Sequence, residues 1–127
     1  MVRADCPRQG REDGPECRLH IDPVYAPALD GIEQADRIEV LYWLHEARRD
    51  LLTQSPKAND VTRGTFSLRS PLRPNPIGSS IVKLVRRDGA VLTVRGLDCL
   101  DGTPLLDIKP VRCGYAVEAP TKPGISD

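Results

Sequence analysis

The clearest pattern along the chain is an alternation. Over residues 16–22 the apolar Cys17, Leu19 and Ile21 alternate with Arg18 and His20, the period-two signature of a strand with one buried face. Pro23 and Pro27 end it, and residues 28–36 read as one or two helical turns weakened by Gly31. Residues 38–44 are rich in β-branched and aromatic side chains, which predicts a strand buried on both faces or nearly so, at the centre of the core. Residues 45–54 have helical composition but only Leu51 and Leu52 as apolar anchors, so a short helix or an irregular loop is expected. Alternation returns over 62–69, with Phe66 and Leu68 opposite Thr65, Ser67 and Arg69, and predicts another strand. Residues 81–85 and 91–97 flank Arg87-Asp88-Gly89, a strong hairpin signal. Beyond residue 98, four prolines (Pro104, Pro110, Pro120, Pro123) predict mostly loop.

Five or six short strands with Pro- and Gly-rich connections and little helix indicate an all-β fold, and a barrel or a sandwich is the usual way to remove its edges. A length of 127 residues favours one such domain over residues 1–127, with 111–127 a proline-rich, mostly irregular tail. Equal numbers of basic and acidic residues, 18 each, remove the strong positive field of a protein that grips nucleic acid mainly through phosphates. A local basic surface of Arg8, Arg11, Arg48, Arg49, Arg63 and Arg73 remains compatible with that balance. Five aromatic residues are too few for a multi-ring base-stacking platform. The chain has no run of 18 apolar residues and no apolar stretch behind its N-terminal arginine, so neither a membrane span nor a secretory signal is expected, and the cytoplasm is the natural compartment. Cys6, Cys17, Cys99 and Cys113 are widely spaced and read as free, partly buried thiols. With only His20 and His45, no three-histidine metal site can form, and no metal is expected.

No dinucleotide fingerprint, Walker loop or nucleophile elbow occurs. Three other clusters stand out. Arg69-Ser70-Pro71-Leu72-Arg73-Pro74-Asn75-Pro76-Ile77-Gly78 is stiffened by its prolines, which fix their own φ and bias the preceding residues towards extended geometry. It reads either as a preorganised binding loop or as a rigid corner with solvated arginines. Asp98, Asp101 and Asp107 lie within ten residues, and Asp101-Gly102-Thr103-Pro104 is a natural turn presenting a carboxylate and backbone amides to a ribose diol or an amine. Paired carboxylates for glycoside chemistry, or a plain turn, fit the same segment. His45-Glu46 closes the most apolar strand and offers a base, a hydrogen-bond donor or only a boundary residue.

Together and in this order, these clusters resemble the TsaA/TrmO methyltransferase family, also called YaeB-like or VirR-like. Arg69-Ser70-Pro71 with Arg73-Pro74-Asn75-Pro76-Ile77-Gly78 is similar to the central signature, and Asp101-Gly102-Thr103-Pro104 with Asp107-Ile108-Lys109-Pro110 to the second. Leu29-Asp30-Gly31-Ile32-Glu33 fits the segment before them, and Cys6-Pro7-Arg8-Gln9-Gly10 looks like the N-terminal Pro-Arg-Gln loop. The resemblance implies a β-barrel methyltransferase using S-adenosylmethionine near a homodimer interface, with transfer RNA as substrate. The methylated group would be the exocyclic amine of threonylcarbamoyl-adenosine beside the anticodon. It places the cofactor against Arg8, Gln9, His45, Glu46, Arg69, Ser79, Asp101, Gly102, Thr103 and Pro104, with His45 or Asp107 to take a proton. Three departures from the family pattern are expected: an N-terminal strand absent or reduced to residues 1–5, which would leave a sheet edge open; Val111 where the family has a tyrosine; and a proline-rich tail where longer relatives carry a C-terminal domain. A small-molecule methyltransferase and a non-catalytic cofactor- or partner-binding module are the alternative functions.

Overall fold

The computed structural model describes residues 2–5, 14–55 and 61–111, with backbone alone for 2–5. Contacts divide the chain into two compact units: residues 1–45 with 77–111, and residues 46–76 with 112–127.

The first unit holds six strands: β1 (Val2–Asp5), β2 (Glu16–His20), β3 (Arg37–Trp43), β6 (Ile77–Asp88), β7 (Val91–Arg95) and β8 (Thr103–Pro110). Every pairing is antiparallel, the order is β1-β2-β7-β6-β3-β8, and β8 pairs back to β1 to close the sheet. Alternation explains the packing. Cys17 and Leu19 of β2, Ile38, Val40 and Tyr42 of β3, Val82 and Leu84 of β6, and Leu92 and Val94 of β7 point into one apolar core, with Leu97, Cys99 and Leu105 completing it. The short elements before β3 are 3-10 turns, Pro23–Leu29 and Ile32–Gln34. The first is capped by Asp22, which accepts from the Val24 amide at 3.1 Å; that bond holds the Asp22 carboxyl below its ordinary range. Gly31 takes φ 85° between the two turns, a left-handed conformation suited to glycine.

Several expectations need correcting. One small β-barrel does not describe the chain: its all-β, helix-poor character holds, but β4 (Thr53–Gln54) and β5 (Arg63–Gly64) form a separate two-stranded sheet that is no part of the six-stranded order. The strand expected over 62–69 is only the two residues of β5 followed by a 3-10 turn, Thr65–Ser67. The side-chain alternation there is overridden by bonds that pull Thr65 inward. The described part of the C-terminal segment, residues 98–111, is not mostly loop, because β8 occupies eight of its fourteen residues; Pro104 and Pro110 fall near the strand's two ends, and the irregular tail expected up to residue 127 lies, from residue 112 on, outside the described residues. β3 is buried on one face only, its other face being half-covered. An edge left open at the N-terminus is not observed, since β1 pairs with both β2 and β8. The hairpin is present, with Asp88 facing Val91 across Gly89 and Ala90 and Gly89 at φ 61°.

Candidate functional site

Strand register brings the residue after β3, the turn before β8 and the opening of β6 to one end of the six-stranded sheet. Trp43, the last residue of β3, faces Ile77, the first of β6, while Tyr42 faces Leu105 near the start of β8. His45, two residues past β3, therefore stands at the same end as the Asp101-Gly102 turn and the opening of β6. β1 runs towards this end as well, Ala4 facing Thr103, and stops at Asp5. Arg8 and Gln9 lie outside the described residues.

The turn before β8 is tightly built. Gly102 has φ 79°, and both the amide and the hydroxyl of Thr103 donate to the Leu100 carbonyl, at 3.1 and 2.5 Å. Thr103 is buried while Asp101 is exposed, so the turn carries a carboxylate outward on a fixed backbone. Asp107 and Ser79 both pair with Leu41, one from each side of β3. The Ser79 hydroxyl donates to Glu39 at 2.9 Å, and Asp107 accepts from the Ile108 amide at 2.8 Å.

Tyr42 ties this end together and was not singled out by sequence reasoning. Its hydroxyl bonds Ser80 Oγ at 2.7 Å and donates to the Asp98 carbonyl at 3.2 Å, linking β3, β6 and the segment leading into the Asp101 turn. Its ring lies against Gly78, which explains why the proline-rich signature ends in glycine. A Cβ there would meet the ring, with Cζ at 2.6 Å and Cδ2 at 2.8 Å. A tyrosine in an apolar alternation carries no local signal for such a role.

Glu46 and Arg69 belong to the second unit. Here the proline-rich loop is braced by its neighbours: Arg73 donates to the carbonyls of Leu68 and Ser70 at 2.8 and 3.0 Å, Gln54 to Leu72 at 2.6 Å, and Arg49 to Pro74 at 2.7 Å. These guanidinium groups are thus more than solvated corner charges, and the loop is preorganised by side chains as well as by prolines. Thr65 is buried, donating to the Leu51 carbonyl at 2.8 Å and accepting from Gln54 at 3.0 Å. Over 46–76, six Arg and Lys stand against three Asp and Glu, so the neutral chain contains a segment of net charge +3. One of these arginines is matched internally: Arg48 donates to Asp50 at 2.9 and 2.8 Å and holds its carboxyl below the usual carboxylate range.

Among the described residues no group of His, Cys, Asp and Glu could hold a metal, and no helix is long and apolar enough to cross a membrane. Cys17 and Cys99 are core thiols; Cys6 and Cys113 lie outside the described residues.

The model of the tRNA-methyltransferase O N-terminal domain matches residues 1–115. The chain belongs to this family. It is 55% identical over 124 residues to the probable S-adenosyl-L-methionine-binding protein VirR of Rhizobium radiobacter, covering 98% of this chain and 71% of that protein. It is 37% identical over 91 residues to the tRNA (adenine(37)-N6)-methyltransferase of Mus musculus, covering 69% of this chain and 21% of the mouse protein. The crystal structure of TrmO superposes with a TM-score of 0.79 at 30% identity, over 98% of this chain and 61% of that one. The chain thus spans about three-fifths of the solved relative and a fifth of the mouse enzyme.

Proposed function

We propose that this protein is an S-adenosylmethionine-dependent methyltransferase acting in the cytoplasm on the exocyclic amine of threonylcarbamoyl-adenosine beside the anticodon of transfer RNA. The observation that carries this reading is the convergence of the family's signature positions, His45, Ser79 and Asp101 to Pro104, at one end of the six-stranded sheet.

The donor set fits the cofactor. Asp101 is an exposed acceptor on a rigid turn, suited to two ribose hydroxyls, and Gly102 leaves the backbone accessible beside it. The family resemblance adds Arg69, whose guanidinium suits a carboxylate, and Arg8, Gln9 and Glu46 to this proposed donor set, besides Thr103 and Pro104. When bound, S-adenosylmethionine supplies a methyl group that is electrophilic without activation. The work left to this chain is alignment of the accepting nitrogen with that methyl and removal of one proton from the nitrogen. His45 and Asp107 are the groups assigned to take it, and alignment is the larger contribution.

Calorimetric titration with S-adenosylmethionine and with S-adenosylhomocysteine tests the cofactor assignment. One site per chain is expected, and Asp101→Ala should weaken it about tenfold to a hundredfold by removing a charged acceptor. No heat and no rise in melting temperature at millimolar cofactor would overturn the assignment.

A homodimer is part of the same reading. On the outward face of the first unit, Ile77 and Ile81 are 46% and 47% exposed and Leu106 is 51% exposed, which favours cover by a second copy. Sedimentation should give twice the 14.0 kDa chain mass, and Ile81→Asp should shift the protein towards 14.0 kDa. A single 14.0 kDa species for the unaltered chain would contradict it.

A further inference from the structure

Phe66 is 80% exposed, although it follows a residue locked into the interior of its own unit. Thr65 takes the inward position of the 3-10 turn through its bonds to Leu51 and Gln54, and this turns Phe66 out towards solvent. The ring is not left alone. The Arg73 guanidinium sits 6.0 Å from its centroid and is itself anchored on the carbonyls of Leu68 and Ser70. An aromatic face in water, with a fixed cation beside it and a surrounding segment of net charge +3, is complementary to a flat, electron-rich ring carried on a polyanion.

We infer that Phe66 is a stacking site for a nucleobase of the RNA substrate, positioned by Arg73. The inference rests on the proposed action on transfer RNA and adds to it a contact that the signature clusters do not contain. It requires one ring, so the scarcity of aromatic residues does not count against it. Stacking on Phe66 is insensitive to base identity and positions the strand, leaving selection of the modified adenosine to the site at the sheet end.

The test uses the full chain, an anticodon stem-loop RNA and S-adenosylmethionine, with RNA affinity read by fluorescence anisotropy and cofactor affinity by calorimetry. Phe66→Ala should weaken RNA binding about 5- to 100-fold, Phe66→Trp should restore it, and Phe66→Leu should not, with cofactor affinity unchanged in all three. Unaltered melting temperatures, expected for so exposed a side chain, separate the effect from misfolding. RNA affinity within twofold of the unaltered protein in Phe66→Ala would overturn the inference while leaving the methyltransferase reading intact. A loss of cofactor affinity with RNA affinity spared would also overturn it, assigning the ring to the cofactor's adenine. Failure of the unaltered chain to bind RNA at low salt would overturn the transfer RNA reading, and the inference with it.

Discussion

Replacing Gly78 with alanine is expected to destabilise the first unit by about 1–3 kcal/mol, the usual cost of overpacking, and to disturb the candidate site as well. The added methyl would enter the space of the Tyr42 ring, which is 5% exposed and cannot swing into solvent. Displacing that ring breaks or lengthens the hydroxyl bonds to Ser80 and the Asp98 carbonyl, and Asp98 lies three residues before Asp101. The alanine variant should therefore melt several degrees lower and bind cofactor more weakly, while Tyr42→Phe, which keeps the ring and removes the hydroxyl, should lose about 1 kcal/mol. An unchanged melting temperature in Gly78→Ala would refute the packing assigned to Tyr42.

A larger effect on stability alone is expected for Leu92→Ala. Leu92 is fully buried on β7 and faces Leu19 across the β2–β7 pairing, so truncation leaves a cavity in the centre of the core. The expected cost is about 2–5 kcal/mol, seen as a lower urea midpoint with an unchanged slope. A loss below about 1 kcal/mol would mean that neighbouring strands collapse into the space, contrary to the rigid closed sheet described above.

What could be read from the sequence, and what could not, divides along physical lines. β2, β3 and the β6–β7 hairpin were legible because each carries its own signal: alternation at Cys17, Leu19 and Ile21, a dense apolar run from Ile38, and Asp88-Gly89 between β-rich runs. β8 was obscured by Pro104 and Pro110, which count against a strand locally but sit near its ends, where the missing amide is tolerated. The 62–69 segment failed in the opposite sense. Its alternation is genuine, but Thr65 is drawn inward by Leu51 and Gln54, contacts that no local pattern encodes.

The candidate site shows the same division. The proline-rich loop and the Asp101 turn were visible as clusters, since their stiffness comes from residue types with fixed backbone preferences. The convergence of His45, Ser79 and Asp101 at one end depends on strand register, which is set by pairings between β3, β6 and β8 up to some seventy residues apart in sequence. Tyr42 and Phe66 were read only as members of predicted strands, because what distinguishes them, a buried hydroxyl link and an exposed ring beside Arg73, exists only in three dimensions.

Methyl transfer itself is the decisive measurement for the proposed activity. Purified protein, S-adenosylmethionine carrying a labelled methyl group, and transfer RNA bearing threonylcarbamoyl-adenosine without the final methyl would be incubated together and the digested nucleosides weighed by mass spectrometry. The label is expected on the exocyclic nitrogen of that adenosine, and the Asp101→Ala variant should lose the reaction. Cofactor binding with no label in any nucleoside of that transfer RNA would contradict the proposed activity.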